Sequence, residues 1–212
     1  LATTVNFSLP GTYILRLNAY DGEGIGGDNL TVAVTGHSNV TAFALRIANG
    51  EDDAEENTKT TVTLNSGDLD LTLDGGGTTS VINQWVGLRF PMLPVPPGAV
   101  IVNAHLQFTT DEAHGDSTQL TIQGEATDNA AAFVNEKKNL SKRDRTTASI
   151  TWIPPAWTTT GEAGPNQRTP NLAAVLQELI NRPGWVNGNA AVLLIGGNGQ
   201  RVARAFEDKV IH

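Results

Sequence analysis

The sequence predicts an all-β protein: an antiparallel β-sandwich of jelly-roll type with one packed α-helix, preceded by a partial two-stranded sheet. Three observations carry this expectation. Turn formers are abundant, with 22 Gly and 10 Pro in 212 residues, while only 6% of residues are aromatic. Short segments with apolar residues at every second position recur along the chain, separated by turns rich in Gly, Asp and Asn. Only one segment has the three-to-four spacing of an amphipathic helix.

The first strand opens at Gly11, with Tyr13, Leu15, Leu17 and Ala19 on one face. Asp21-Gly22-Glu23-Gly24 turns the chain, and Leu30 to Thr35 supplies a second alternating strand. A lone hairpin is marginal in water, so these strands are expected to complete a sheet supplied by chain upstream or by another molecule. Gly36-His37-Ser38-Asn39 reads as a boundary, dividing the chain into segments 1–36 and 37–212. Beyond it, Phe43 to Ile47, Thr61 to Leu64 and Leu69 to Leu73 alternate as strands, and Asp74-Gly75-Gly76-Gly77 makes a loop. Gln84 to Phe90 places Trp85, Gly87 and Arg89 on one face and Val86, Leu88 and Phe90 on the other, with Arg89 expected against a carboxylate. Pro91 to Pro97 is too rich in proline for a central strand. Val100 to Thr109 and Gln119 to Glu125 are expected as long strands, Ala148 to Trp152 as a short one, and Ala190 to Ile195 as a fully buried one. For the helix, Thr169 is the expected N-cap and Pro170 the first residue. Leu172, Val175, Leu176, Leu179 and Ile180 form its apolar face, and Pro183-Gly184 ends it.

Composition narrows the partners. A formal net charge of −8 disfavours nucleic acid and anionic lipid, since both are bound through clustered Lys and Arg. It favours calcium and neutral or basic ligands. No run approaches the ~18 apolar residues of a membrane span, so direct membrane insertion is not expected. Cysteine is absent, which excludes a disulfide scaffold, thiolate metal ligands and a cysteine nucleophile. Leu1 to Ser8 is polar without a basic lead, so an export signal would lie upstream. His37, His105, His114 and His212 are scattered, and no H-E-x-x-H or G-x-S-x-G motif occurs. The glycines from Gly22 to Gly27 join two strands and precede no helix, unlike a phosphate loop. A non-enzymatic chain is the expectation.

The stretch GTYILRLNAYDGEG, Gly11 to Gly24, resembles the end of a polycystic-kidney-disease (PKD) or related immunoglobulin-like repeat. Residues 43–208 resemble the DNRLRE-like jelly-roll modules of large bacterial surface and secreted proteins. The matching elements are QWVGLRF, VPPGAVIVNAHLQF, the helix TPNLAAVLQELINRPGW and the strand and turn GNAAVLLIGGNG. Ala126 to Gln167 is an insertion relative to the simplest members. The resemblance implies a partial immunoglobulin-like sheet in 1–36 and a jelly roll in 37–212. It also implies a secreted, periplasmic or cell-surface setting and a mostly non-catalytic role, with polysaccharide bound by some relatives.

Two groups of residues are candidate sites. Glu51-Asp52-Asp53-Ala54-Glu55-Glu56 holds five carboxylates in six residues, which repel one another unless a cation or basic partner neutralises them. Calcium takes about 6–8 hard oxygen ligands. Since first and last strands meet in jelly rolls, Asp52, Asp53, Glu55 and Asp208 are the expected ligands of a structural Ca2+, with Glu207 beside them. The competing readings are a solvated acidic loop and a contact for a basic protein. Trp152 and Trp157 flank Pro154-Pro155 and are the candidates for stacking a sugar, which requires exposed aromatic faces; core packing is the competing reading. Lys137, Lys138, Lys142, Arg143 and Arg145 form a basic island, read as a site for an acidic glycan or neighbouring subunit, or as a solvated loop. The expected function is a non-catalytic, calcium-stabilised structural or adhesive module of a secreted or cell-surface bacterial multidomain protein. One alternative is a carbohydrate-binding module assisting a separate catalytic domain. Another is an accessory subunit of a larger extracytoplasmic assembly, its sheet completed by a protein partner's strand.

Overall fold

The computed structural model describes residues 11–20, 25–34, 41–57, 62–74 and 82–208, with side chains only from residue 41 onward. The expected turn at Asp21 to Gly24, the boundary at Gly36 to Asn39 and the glycine loop at Gly75 to Gly77 lie outside the described residues. The chain divides into two units between Ala44 and Leu45. In the first, β1 (Gly11–Tyr20) and β2 (Ile25–Val34) pair antiparallel, from Gly11 opposite Val34 to Tyr20 opposite Ile25. Among the described residues no third strand joins them.

The second unit is an antiparallel all-β sandwich with one α-helix, as the sequence predicts. In chain order it contains β3 (Asp53–Asn57), β4 (Val62–Thr63), β5 (Asp68–Asp70), β6 (Leu73–Asp74), β7 (Ile82–Phe90), β8 (Thr110–Glu112) and β9 (Gln119–Glu125). Then follow β10 (Arg145–Trp152), α1 (Ala173–Ile180), β11 (Ala191–Asn198) and β12 (Val202–Arg204). The larger sheet runs β10-β9-β11-β7-β3-β4, with β6 also on β7, and the smaller runs β5-β12-β8.

Strand β11 lies in the middle of the larger sheet, and its alternation serves two cores. Leu193 and Ile195 enter a core with Val86, Leu88, Leu120 and Ile122 of the same sheet and Leu69 and Ala203 of the smaller one. Val192 and Leu194 enter the opposite core with Ala54, Val62, Phe133 and Leu140. The expectation of a fully buried strand is met. The irregular stretch from Ala126 to Asp144 is the cover of the second face. Gly87 leaves room for it: a Cβ there would come within 2.6 Å of the Phe133 ring. Arg143 lies over Phe133 at 4.6 Å and Arg145 over Trp85 at 4.7 Å, which seals the cover with two cations on aromatic faces. A third cluster packs α1 and Trp185 onto Leu93 and Val95. The Trp185 indole donates to Val95 O at 2.9 Å.

Val100 to Thr109 departs from the expected strand. In its first half side chains take the place of a neighbouring strand: Gln177 bonds Ile101 N and Ala99 O, and Asn171 bonds Ala104 N and Val102 O, while Ala104 O, Leu106 O and Phe108 N bond the backbone of Leu172, Thr169 and Gln167. The period-two pattern therefore appears with almost no ladder, and Val100 and Val102 point into solvent. The same exchange moves the helix start. The Thr169 hydroxyl accepts from Leu106 N rather than capping, Asn171 Oδ1 accepts from Ala173 N, and α1 begins at Ala173. Phe43 to Ile47 also joins no sheet; Phe43 and Leu45 are exposed, while Ile47 packs on the main core.

One cation fastens the loops at the end of the sandwich. Arg201, only 1% exposed, donates to Pro155 O (2.9 Å), Pro154 O (3.1 Å), Asp116 O (2.9 Å), Thr118 Oγ1 (2.8 Å) and Gln200 O (2.5 Å). Every acceptor is neutral, and burial pushes the guanidinium pKa down, opposed by the charge of Asp116. Arg201→Met keeps the stem and strands these acceptors, each at a cost of about 1–3 kcal/mol where water cannot follow. Urea unfolding is expected to show a loss of about 3 kcal/mol or more, against less than about 0.5 kcal/mol for the exposed Arg168→Ala.

Candidate functional site

The acidic run enters β3, so strand alternation divides it between the two faces of the larger sheet. Asp52 and Glu56 face the cover. Asp52 meets Arg89 Nη1 at 2.6 Å, which is the carboxylate partner expected for Arg89, and Arg89 Nε donates to Ala130 O. Glu56 Oε2 accepts from Leu140 N at 2.6 Å and Ser141 N at 3.1 Å. Asp53 and Glu55 face the other way. Asp53 accepts from Phe206 N at 2.9 Å, so the C-terminal segment does return to the first strand of the sandwich. Glu55 Oε1 accepts from Asp70 N at 2.6 Å and Gln84 Nε2 at 2.8 Å.

The structure therefore does not gather Asp52, Asp53, Glu55 and Asp208 around one point. Asp52 lies on the opposite face from Asp53 and Glu55, and Asp208 pairs with Arg204 at 3.1 Å. Among the described residues no group of three or more His, Cys, Asp or Glu could hold a metal ion. The solvated loop is corrected as well, because Asp52, Asp53, Glu55 and Glu56 are all buried. Sequence reasoning passed over Asp68, Asp70 and Gln84, which crowd Glu55. Their only signal was the acid–apolar–acid alternation of β5.

Trp152 and Trp157 are corrected to core residues, at 4% and 0% exposed. Trp152 stacks on Phe108 with centroids 5.7 Å apart and planes 13° apart, and Trp157 tilts against both rings. Arg201 holds the carbonyls of Pro154 and Pro155, and Trp157 just beyond them lies in the core with its indole N–H on Asn166 O. No aromatic face of this pair is left for a sugar. Of the other two tryptophans, Trp185 is buried, and the half-buried Trp85 lies against Gly196 beneath Arg145. The basic island also separates: Arg143 joins Glu125 at 2.6 Å and the carbonyls of Ala131 and Ala132, while Lys137, Lys138 and Lys142 are exposed.

What remains at the edge of the sandwich is a set of carboxylates with displaced proton affinities. Burial raises Glu55 to about 7, reinforced by Asp70 and Asp68 and opposed by the bonds from Asp70 N and Gln84. Burial likewise raises Asp53 to about 6, with Glu207 and Asp52 adding to it and Phe206 N opposing. Asp70 also rises to about 6, through burial and then Asp68, Asp74 and Glu112, against its bond from Gln200. Asp111 shifts upward by burial and the charge of Asp208. Beside this set lies an open depression of about 620 Å3, lined by Asn49, Gly50, Glu51, Leu64, Asn65 and Glu207. Its lining includes neither a histidine nor a hydroxyl nucleophile.

Neither the models of known protein families nor the curated proteins contain a match to this chain. Among the described residues no helix is long and apolar enough to cross a membrane.

Because the folded pKa values of Asp53, Glu55 and Asp70 exceed their ordinary ones, the protonated forms favour the fold. The stability they contribute is complete below about pH 4 and is lost as pH rises through about 6 to 7. The melting temperature is expected to fall between about pH 5 and about pH 8. Glu55→Gln, which keeps an acceptor and removes the charge, is expected to flatten that fall and to stabilise at the alkaline end by about 1–2 kcal/mol. Differential scanning calorimetry across this range checks both.

Proposed function

We infer that this chain is a non-catalytic structural or adhesive module of a secreted or cell-surface bacterial multidomain protein. The observation that supports this reading is where the charged groups spend their bonds. Asp52 with Arg89, Glu125 with Arg143, Glu56, Arg145 and Arg201 all tie loops and strands of the second unit together. A catalytic acid or base needs a reacting group within reach across a cleft, and these side chains are turned to one another or to backbone instead. The resemblance to DNRLRE-like modules supports the extracytoplasmic setting.

Calcium enters this reading through the acidic edge as a whole rather than through the four residues first expected. Besides burial, Asp70 and Asp68 raise the proton affinity of Glu55, Asp68 and Glu112 that of Asp70 and Asp111, and Glu207 and Asp52 that of Asp53, and a divalent cation relieves the same repulsion as a proton. The accessory-subunit alternative has its own support. Strands β1 and β2 are each ten residues long, and among the described residues neither pairs outward.

Melting the chain in calcium, in excess chelator and in sodium chloride of matched ionic strength tests the cation. A site filled at 100 times its Kd stabilises by about 2.7 kcal/mol, and Asp53→Asn with Glu55→Gln is expected to remove most of the gain. Superimposable curves in all three solutions would take calcium out of the reading. Turnover of a glycoside, ester or peptide substrate by the purified chain would overturn its non-catalytic character.

A further inference from the structure

Sheet edges attract the backbone of other chains, and they are guarded by charge, by proline or by shortness. Among the described residues, four of the five outer strands of the sandwich carry such a guard. β5 holds Asp68 and Asp70, β8 holds Asp111 and Glu112, and β4 and β6 are each two residues long. β10 is eight residues long, and its one charged residue, Arg145, lies over Trp85 at the start of the strand. From Thr146 to Trp152 it carries no charge, and its exposed residues Thr147, Ser149 and Thr151 suit a strand.

The guard comes from the helix. Register between β10 and β9 breaks between Arg145 and Ser149, and there two successive N–H groups are taken by one carboxylate. Glu178 Oε1 accepts from Thr147 N at 2.8 Å, and Oε2 accepts from Ala148 N at 2.7 Å. Further along, Pro154 and Pro155 have no N–H to offer, so the edge ends there.

We propose that Glu178 closes the β10 edge against strand addition by a second copy of this chain, its two oxygens standing where the carbonyls of an added strand would dock. A second copy is the occupant because β10 set antiparallel to itself across a two-fold axis places Thr and Ser faces together without like charge. This goes beyond the structural-module reading and does not depend on it.

The test is sedimentation of wild type, Glu178→Ala and Glu178→Ala with Ser149→Lys over a range of concentrations, with circular dichroism to follow the fold. Glu178→Ala is expected to shift towards twice the wild-type mass as concentration rises, and the added lysine on the edge is expected to reverse the shift. Sedimentation of Glu178→Ala like wild type would overturn the proposal, as would association that survives Ser149→Lys. Glu178→Gln keeps the size and one acceptor, and it is held to the same outcomes if the alanine variant does not fold.

Discussion

The second unit is organised by one constraint: β11 is apolar on both faces, so both faces of the larger sheet must be kept from water. One cover is regular, because the smaller sheet can satisfy its own backbone. The other, from Ala126 to Asp144, is irregular, and a buried irregular backbone must find partners elsewhere. It finds them in side chains. Arg89 takes Ala130 O, Arg143 takes Ala131 O, Ala132 O and Asn139 O, Arg145 takes Leu140 O, and Glu56 takes Leu140 N and Ser141 N. The ion pairs Asp52–Arg89 and Glu125–Arg143 are thus a consequence of the hydrophobic pattern.

The same constraint explains the uneven fate of the acidic run. β3 lies next to β7 inside the sheet, so its carboxylates are buried whichever way they point. On the covered side a guanidinium is waiting for Asp52. On the other side Asp53 and Glu55 find backbone N–H groups, one amide and further carboxylates. Hydrogen bonds hold these side chains in place but do not offset the loss of water around their charge. Their raised proton affinity follows from position alone.

Much of the fold was legible because burial on both faces leaves an unmixed apolar run, as at β11, and burial on one leaves alternation, as at β9. The pairing of Arg89 with a carboxylate was legible for the same reason, since an arginine inside such a strand must meet an acceptor. The segment from Ala99 to Leu106 misled because period two records which residues face inward, not what the backbone bonds to. Five clustered carboxylates look like a surface loop, and only the strand order shows that four of them, Asp52, Asp53, Glu55 and Glu56, lie inside. The tryptophans on either side of Pro154-Pro155 could not be placed without Arg201, whose partners lie 46 residues and more away along the chain, apart from Gln200. Nothing local to GNGQR marks that residue as the one that anchors the loops.

The helix has a consequence for how the molecule opens. α1 is eight residues long, and isolated helices shorter than about 12–15 residues do not persist in water. The segment from Ala99 to Leu106 in turn hangs on Gln177, Asn171 and Thr169. Order in one supports order in the other, and opening both would also draw Leu172 and Val175 out of the main core. In amide hydrogen exchange the helix and this segment would open as one, ahead of β7, β9 and β11. Each such opening also withdraws Glu178 from Thr147 and Ala148, so the edge of the sheet is bare only for the lifetime of that partly unfolded state.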